Sequence, residues 1–158
     1  MPLWSSVLRR ALVSGTFASL TSTIALLQCG ARETRSAITP VNAVSHWIWE
    51  NRALRQHKSS VRYSLTGYGI HHAASVFWAL AFEALARRKD RQPTATETAT
   101  AAATVAALAC VVDMRCTPDR LTPGFEHHLS KKALFGVYTA FAIGLALHGM
   151  LNGKKGRR

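Results

Sequence analysis

Charged residues are absent from four long windows of this chain and cluster between them. The uncharged windows cover residues 11–29, 63–82, 98–112 and 133–153. A helix that crosses a bilayer needs about 20 mainly apolar residues, and the first, second and fourth windows reach that length unaided. The third reaches it when it begins near Thr94 and includes Asp113. The pattern therefore predicts an all-α polytopic membrane protein, built as a four-transmembrane-helix bundle.

The whole chain, residues 1–158, is expected to form a single integral membrane domain. The predicted spans lie at about 11–29, 63–86, 95–114 and 133–153. Thr94 and Glu97 have the spacing of a capping box, which predicts the start of the third helix there. The first span is rich in Ser, Thr and Ala, which let membrane helices approach one another closely. We therefore expect close packing of the first helix against its neighbours.

The first loop contains a candidate helix that is too short and too polar to span a membrane. Thr39-Pro40 is typical of a helix N-terminus, where proline fits the first turn. Trp47 and Trp49 follow, and indole rings favour the membrane–water interface. The segment at about 40–55 is therefore predicted to be an interfacial amphipathic helix. A helix in a soluble loop is the alternative.

The net charge of +12 points to lipid headgroups as the partner rather than to nucleic acid. The basic residues form short clusters beside the apolar windows: Arg9-Arg10, Arg87-Arg88-Lys89, Lys131-Lys132 and Lys154-Lys155. A groove-binding basic face needs a soluble domain to carry it, and the four windows leave no room for one. We therefore expect no nucleic acid, a lipid bilayer around the protein, and a membrane-protein partner or a second copy of the chain as further candidates.

Membrane orientation is poorly determined by the Lys and Arg residues. With cytoplasmic termini, ten of the 20 fall on the inner side and ten in the two outer loops. The inner ones lie closer to the helix ends, which favours cytoplasmic termini. Ala- and Arg-rich composition suggests a bacterial inner membrane.

Residues 1–31 also have the order of charges and apolar residues seen in signal peptides. The apolar stretch is longer than usual in a signal peptide, so a retained anchor is favoured over cleavage.

Two adjacent histidines and a glutamate interrupt the second window. At 100° per residue, His71 and His72 fall within one arc of about 140° that also contains Tyr68, Trp78 and Glu83. The opposite face carries Ile70, Ala73, Ala74, Phe77, Leu80, Ala81 and Ala84. We therefore expect a polar and aromatic face towards the bundle and an aliphatic face towards lipid.

Topology indicates what the histidines meet. The second span begins, and the third span ends, on the side of the first loop, so His71 and His72 share one half of the membrane with Asp113. Ionisable residues at that depth are costly and are candidates for function. A cavity for a lipid-soluble molecule is expected here, with Tyr68, His71, His72, Trp78, Asp113 and Tyr138 as ligand-binding residues, and with Phe82 and Phe141 as further lining.

A metal site is a second hypothesis for the same region. Imidazole and carboxylate groups are ligands of zinc and iron, and the candidate ligands are His71, His72, Asp113, Glu126, His127 and His128. None of them has a diagnostic spacing, so the cofactor stays unknown, with a divalent metal as one candidate. Haem fits less well because His148 lies near the opposite surface from His71, and a bis-histidine haem needs matching depths. The histidines also have a purely structural interpretation, as hydrogen-bonding groups that fix helix register.

Three functions remain open from the sequence. The first is a binding or transport module with a His/Asp pocket between helices. The second is a structural or accessory subunit of a larger membrane complex, in which the polar face of the second span meets a partner. The third is a metal-dependent membrane enzyme. Nucleophilic catalysis has no support, because no Ser, Cys or Thr lies in a recognisable catalytic motif, and a non-enzymatic role is favoured.

Overall fold

The computed structural model describes residues 3–86 and 92–155, and over these ranges the regular structure is entirely helical. The α-helices are α1 (Leu3–Glu33), α2 (Thr39–Val44), α3 (His46–Trp49), α4 (Asn51–Leu54), α5 (Thr66–Ala86), α6 (Ala95–Val111) and α7 (Lys131–Lys155). A π-helical turn, Val61–Leu65, leads into α5, and a second, Val112–Cys116, continues α6. The all-α class is confirmed for this part of the chain, and the basic cluster at 87–91 lies outside it.

Three helical segments are long and apolar enough to cross a membrane. They are Ser6–Glu33, Ala95–Cys116 and Lys131–Met150, and they contain most of the first, third and fourth predicted spans. Large apolar side chains on their outer faces are exposed, including Ile24, Leu108, Phe135 and Ile143. Such a surface is costly in water but not in lipid, and it is compatible with a membrane location. The second predicted span corresponds to the 21-residue helix α5, which is not one of these three segments, so the prediction of four spans is not confirmed.

Helix α1 packs along both α5 and α7 through small residues. Its buried positions in this seam are Ala11, Ser14, Gly15, Ala18, Ser19, Ser22 and Leu26. A Cβ added to Gly15 would lie 2.7 Å from the Cα of Val76 on α5, and a Cβ on Gly144 of α7 would overlap the backbone of Ala18. The helix backbones therefore almost touch, which is how helices gain packing energy in a membrane.

Side-chain hydrogen bonds fix the helix ends. Thr94 Oγ1 accepts from the Glu97 backbone N–H, and the Glu97 carboxylate accepts from the Thr94 N–H at 2.8 Å, so the predicted capping box is confirmed. At the end of α1, the Glu33 carboxylate accepts bonds from the backbone N–H and the hydroxyl of Ser130 at 2.7 and 2.8 Å. The Ser130 hydroxyl in turn accepts from the N–H of Ala133. The end of α1 is thereby joined to the start of α7.

The first loop does not form the single helix predicted over 40–55, and that prediction is wrong. The chain instead forms α2, α3 and α4, with a break at Glu50, whose φ is 49°. Asn42 is fully buried, and its amide donates to the carbonyls of Gln56 and Lys58 at 3.1 and 3.0 Å, which folds the loop back over α2. Every residue of α2 is buried. This helix therefore packs inside the protein instead of lying along its surface, although the predicted proline in its first turn is present.

The bundle is open between α5 and α6. These two helices contact each other far less than α5 contacts α1 or α6 contacts α7, so the helices follow one another around the bundle as α5, α1, α7 and α6. On the side of the first loop, the gap is covered by residues 39–54 and 117–130, which we call the cap. Trp47 Nε1 donates to the carbonyl of Thr122 at 2.7 Å and joins the two halves of the cap. The result is a cavity that the cap covers at one end and that opens laterally between α5 and α6.

Candidate functional site

The cavity between α5 and α6 has a volume of about 520 Å³. Its inner wall is formed by Ser22 of α1 and by Val137, Tyr138 and Phe141 of α7. The sides are formed by α5, α6 and the π-helical turn after α6. Lining residues from the cap include Val44, Trp47, Leu121, Pro123 and Phe125. Cavities of about 300–1,000 Å³ with mainly apolar walls and a few polar groups are typical of small-molecule sites. This cavity has both properties.

His71 projects from α5 and is held against α1. Its Nε2 lies 2.8 Å from the hydroxyl oxygen of Ser22, and the hydroxyl of Ser75 donates to the backbone carbonyl of His71 at 2.8 Å. The Ser22 hydroxyl also lies 2.7 Å from the carbonyl oxygen of Ala18, to which it donates its single hydrogen. In the Nε2-protonated tautomer of His71, Ser22 accepts from Nε2 while it donates to the carbonyl of Ala18. The lone pair of Nδ1 is left for another partner.

Asp113 and Tyr138 form the second polar group of the cavity. Asp113 lies in the π-helical turn after α6, and its Oδ2 accepts a bond of 2.8 Å from the hydroxyl of Tyr138 on α7. Both residues line the cavity. The bond leaves Asp113 Oδ1 as an acceptor, so the cavity contains a carboxylate oxygen and an imidazole nitrogen from two different helices. His71 and Asp113 both line this cavity, and the binding site predicted around them stays a prediction.

The other predicted ligand-binding residues divide between the cavity and the core. Trp78 lines the cavity, and so does Phe141, whereas Phe82 is only 2% exposed and belongs to the core among α1, α5, α6 and α7. Tyr68 and His72 are absent from the lining; their rings instead contact each other, with centroids 6.0 Å apart. The aliphatic face predicted to meet lipid borders the open side of the cavity, because Ile70, Ala73 and Ala74 are part of the lining.

The six candidate metal ligands are not gathered into one site. Over residues 3–86 and 92–155, no group of three or more His, Cys, Asp or Glu side chains lies close enough to hold a metal ion. Glu126, His127 and His128 belong to the cap: His127 Nε2 lies 3.8 Å from Glu126 Oε1, and the His127 side chain is 53% exposed. His71 bonds Ser22 and Asp113 bonds Tyr138, so each has a protein partner instead. The metal site stays a hypothesis without geometric support in the described residues.

Three contributors to the cavity lie outside the predicted ligand-binding residues. Ser22 bonds His71, and the Ser- and Thr-rich composition of the first span was its signal. Trp47 was assigned to the membrane surface, but it covers the cavity through its bond to Thr122. Phe125 packs edge-on against Tyr138, with ring centroids 6.4 Å apart. These contacts join segments far apart in sequence, so no local pattern could indicate them.

The cap should be more stable at neutral than at mildly acidic pH, partly because of His128. Burial lowers the pKa of the His128 imidazole below its ordinary value of 6.5, although the carbonyl of Leu54 acts in the opposite direction. The unfolded chain therefore binds a proton more readily than the folded chain as the pH falls below about 6.5, and this contribution to stability is lost. We expect the free energy of unfolding to fall from pH 7 to pH 5, less steeply in His128→Gln. Equal slopes in the two proteins would contradict the prediction.

No family model, no curated protein and no solved structure matches this chain.

Proposed function

We propose that the protein is a membrane-embedded binding or transport module for a lipid-soluble small molecule, which occupies the cavity between α5 and α6. The observation that carries the proposal is the convergence of His71 and the Asp113–Tyr138 pair on one apolar cavity of about 520 Å³. An accessory subunit that uses the polar face of α5 to meet a partner would instead present these groups outside the bundle. The inward position of His71 and Asp113 therefore favours a ligand.

The proposed membrane arrangement uses α5 as a fourth span. Its 21 residues are long enough to cross a bilayer, and it packs along the membrane-length helix α1. His71 lowers the hydropathy of α5 but is bonded to Ser22, and satisfied polar groups of this kind are tolerated between helices. Four spans put both termini on one side, for which we propose the cytoplasm of a bacterial cell.

The open side of the bundle supports entry from the lipid. At the edge of the cavity, Phe77 is 64% exposed and Leu121 is 45% exposed. In a bilayer, such a lateral opening between α5 and α6 faces hydrocarbon chains rather than water. A molecule that is concentrated in the membrane can therefore reach His71 and Asp113 without passing through the cap.

Cavity filling tests the proposal. The probe is bis(4-bromobenzyl) ether, whose bromine atoms quench tryptophan fluorescence on contact, and the protein is reconstituted in lipid nanodiscs. Trp4→Phe and Trp49→Phe leave Trp47 and Trp78, which both line the cavity. We expect saturable quenching in this background. Ala74→Phe places a ring in the cavity and should weaken the saturable component at least about tenfold, which corresponds to about 1.4 kcal/mol.

Ala81→Phe is the matched control, because Ala81 lies two turns further along α5, is exposed, and is not part of the lining. It should retain the saturable quenching. Unsaturable quenching of equal strength in both variants, with this ether and with a hydrogen-bond-donating analogue of the same shape, would mean that the probes reach the tryptophans only from the bulk lipid, and the proposed function would then be rejected.

A further inference from the structure

The charge of the cavity is opposite to that of the protein. The chain has 20 Lys and Arg residues against 8 Asp and Glu residues, for a net charge of +12. Among the described residues that line the cavity, however, Asp113 is the only one of these four types. A cavity for an anion in such a basic chain would use some of the many available cations. The lining therefore selects against an anionic ligand.

Asp113 and His71 bring hydrogen-bond acceptors to the cavity. Asp113 Oδ2 is bonded to Tyr138, which leaves Oδ1. In the Nε2-protonated tautomer of His71, Ser22 donates to the Ala18 carbonyl and accepts from Nε2, which leaves the lone pair of Nδ1 as an acceptor. A ligand that satisfies a carboxylate oxygen and an imidazole nitrogen together must supply hydrogen-bond donors. A ketone or an ether cannot do so.

Aromatic rings dominate the walls around these acceptors. They belong to Trp47, Phe77, Trp78, Phe125, Tyr138 and Phe141. The faces of indole, phenol and phenyl rings attract cations, and the attraction grows when water is excluded. One carboxylate, two acceptor atoms and six aromatic rings therefore favour the same class of ligand.

We infer that the ligand is a lipophilic ammonium ion: a protonated primary, secondary or tertiary amine that carries apolar groups. The ammonium N–H groups donate to Asp113 Oδ1 and His71 Nδ1, and the apolar groups fill the aromatic part of the cavity. The inference rests on the proposed function, since it names the ligand class of that same cavity. It goes further by assigning Asp113 as the counter-ion and His71 as a second acceptor.

Two probes of the same shape test the inference. Bis(4-bromobenzyl)amine is protonated at neutral pH, whereas bis(4-bromobenzyl) ether is neutral and has no donor. Their binding is measured by tryptophan quenching in the Trp4→Phe/Trp49→Phe background. Both probes also partition into the lipid, and the quenching caused by this partitioning is subtracted. We expect the amine to bind at least about tenfold more tightly than the ether, because a hydrogen bond to a charged group is worth more than one tenfold step.

Asp113→Asn should remove this preference and leave the affinity for the ether within about twofold. Asp119→Asn is the matched control, because Asp119 is an exposed residue of the cap outside the lining; it should preserve the full preference. The comparison of the two probes in the Trp4→Phe/Trp49→Phe background keeps Asp113 intact, so its result holds even if Asp113→Asn fails to fold.

The outcomes separate the two proposals. Saturable binding of both probes with equal affinity, or a preference for the amine that survives in folded Asp113→Asn, overturns the ammonium inference and leaves the proposed function standing. Absence of saturable binding for both probes overturns both.

Discussion

Gly144→Val should be among the most destabilising single substitutions in the bundle. A Cβ at this position would overlap the Cα and N of Ala18, and it would also meet the hydroxyl of Thr21. That hydroxyl donates to the carbonyl of Ala140 at 2.8 Å, a bond between α1 and α7. Overpacking usually costs about 1–3 kcal/mol when side chains can adjust. Here the obstacle is backbone, so we expect a cost of about 3 kcal/mol or more.

Gly136→Val is the control for that experiment, because a Cβ at Gly136, on the same helix, meets nothing within 4 Å. Its effect should lie within about 0.5 kcal/mol of zero. Unfolding by sodium dodecyl sulfate in mixed micelles, followed by circular dichroism, measures both variants. Equal stability of the two would mean that α1 and α7 are not in backbone contact, and the packing of the whole bundle would have to be revised.

The long helices could be predicted from the sequence because their signals are local. Uncharged windows bounded by charged residues, and a capping box at Thr94 and Glu97, are properties of neighbouring residues. The prediction that His71 and Asp113 share one half of the protein depends only on span order and on the rise per residue of a helix, and both residues line the cavity. Composition therefore predicted the all-helical class, while a binding site at this cavity stays a prediction.

The rotation of each helix could not be predicted in the same way. His71 and His72 were both expected to face one pocket, but His71 lines the cavity, whereas His72, whose Nδ1 is buried, contacts Tyr68 outside the lining. A helical-wheel projection gives the angle between two residues around the helix axis. It does not give the direction in which the centre of the bundle lies. That direction is set by long-range contacts, such as the one between Gly15 and Val76, which no window of the sequence contains.

The cap escaped prediction for a related reason. The tryptophan pair suggested a surface position because indole favours interfaces, but indole also fits a half-buried site where its N–H finds a partner. Trp47 has such a partner in the carbonyl of Thr122. The polar side chain of Asn42 is buried as well, because two carbonyls and the hydroxyl of Ser64 satisfy it. Burial of polar groups depends on partners that the sequence pattern does not identify.

Gly124→Ala should open the cap without unfolding the bundle. Gly124 has a φ of 86°. A residue with a Cβ adopts such a positive φ only at a cost of about 1–2 kcal/mol. An added Cβ would also lie 2.5 Å from the carbonyl oxygen of Ala43 and 2.7 Å from Nδ1 of His46. Both obstacles belong to the other half of the cap, so the turn at 117–130 should separate from α2 and α3.

Hydrogen–deuterium exchange in nanodiscs measures this opening. In Gly124→Ala, we expect amide protection across residues 39–54 to fall at least about tenfold, which corresponds to about 1.4 kcal/mol, while protection in α1 and α7 stays unchanged. Gly69→Ala is the control, since a Cβ at Gly69 meets nothing within 4 Å and alanine is the better helix former. Because Trp47 and Phe125 cover the cavity, the same variant should also weaken binding of the brominated amine. Unchanged exchange in the cap would mean that Gly124 does not hold its two halves together, and the cavity would then need another explanation for its covered end.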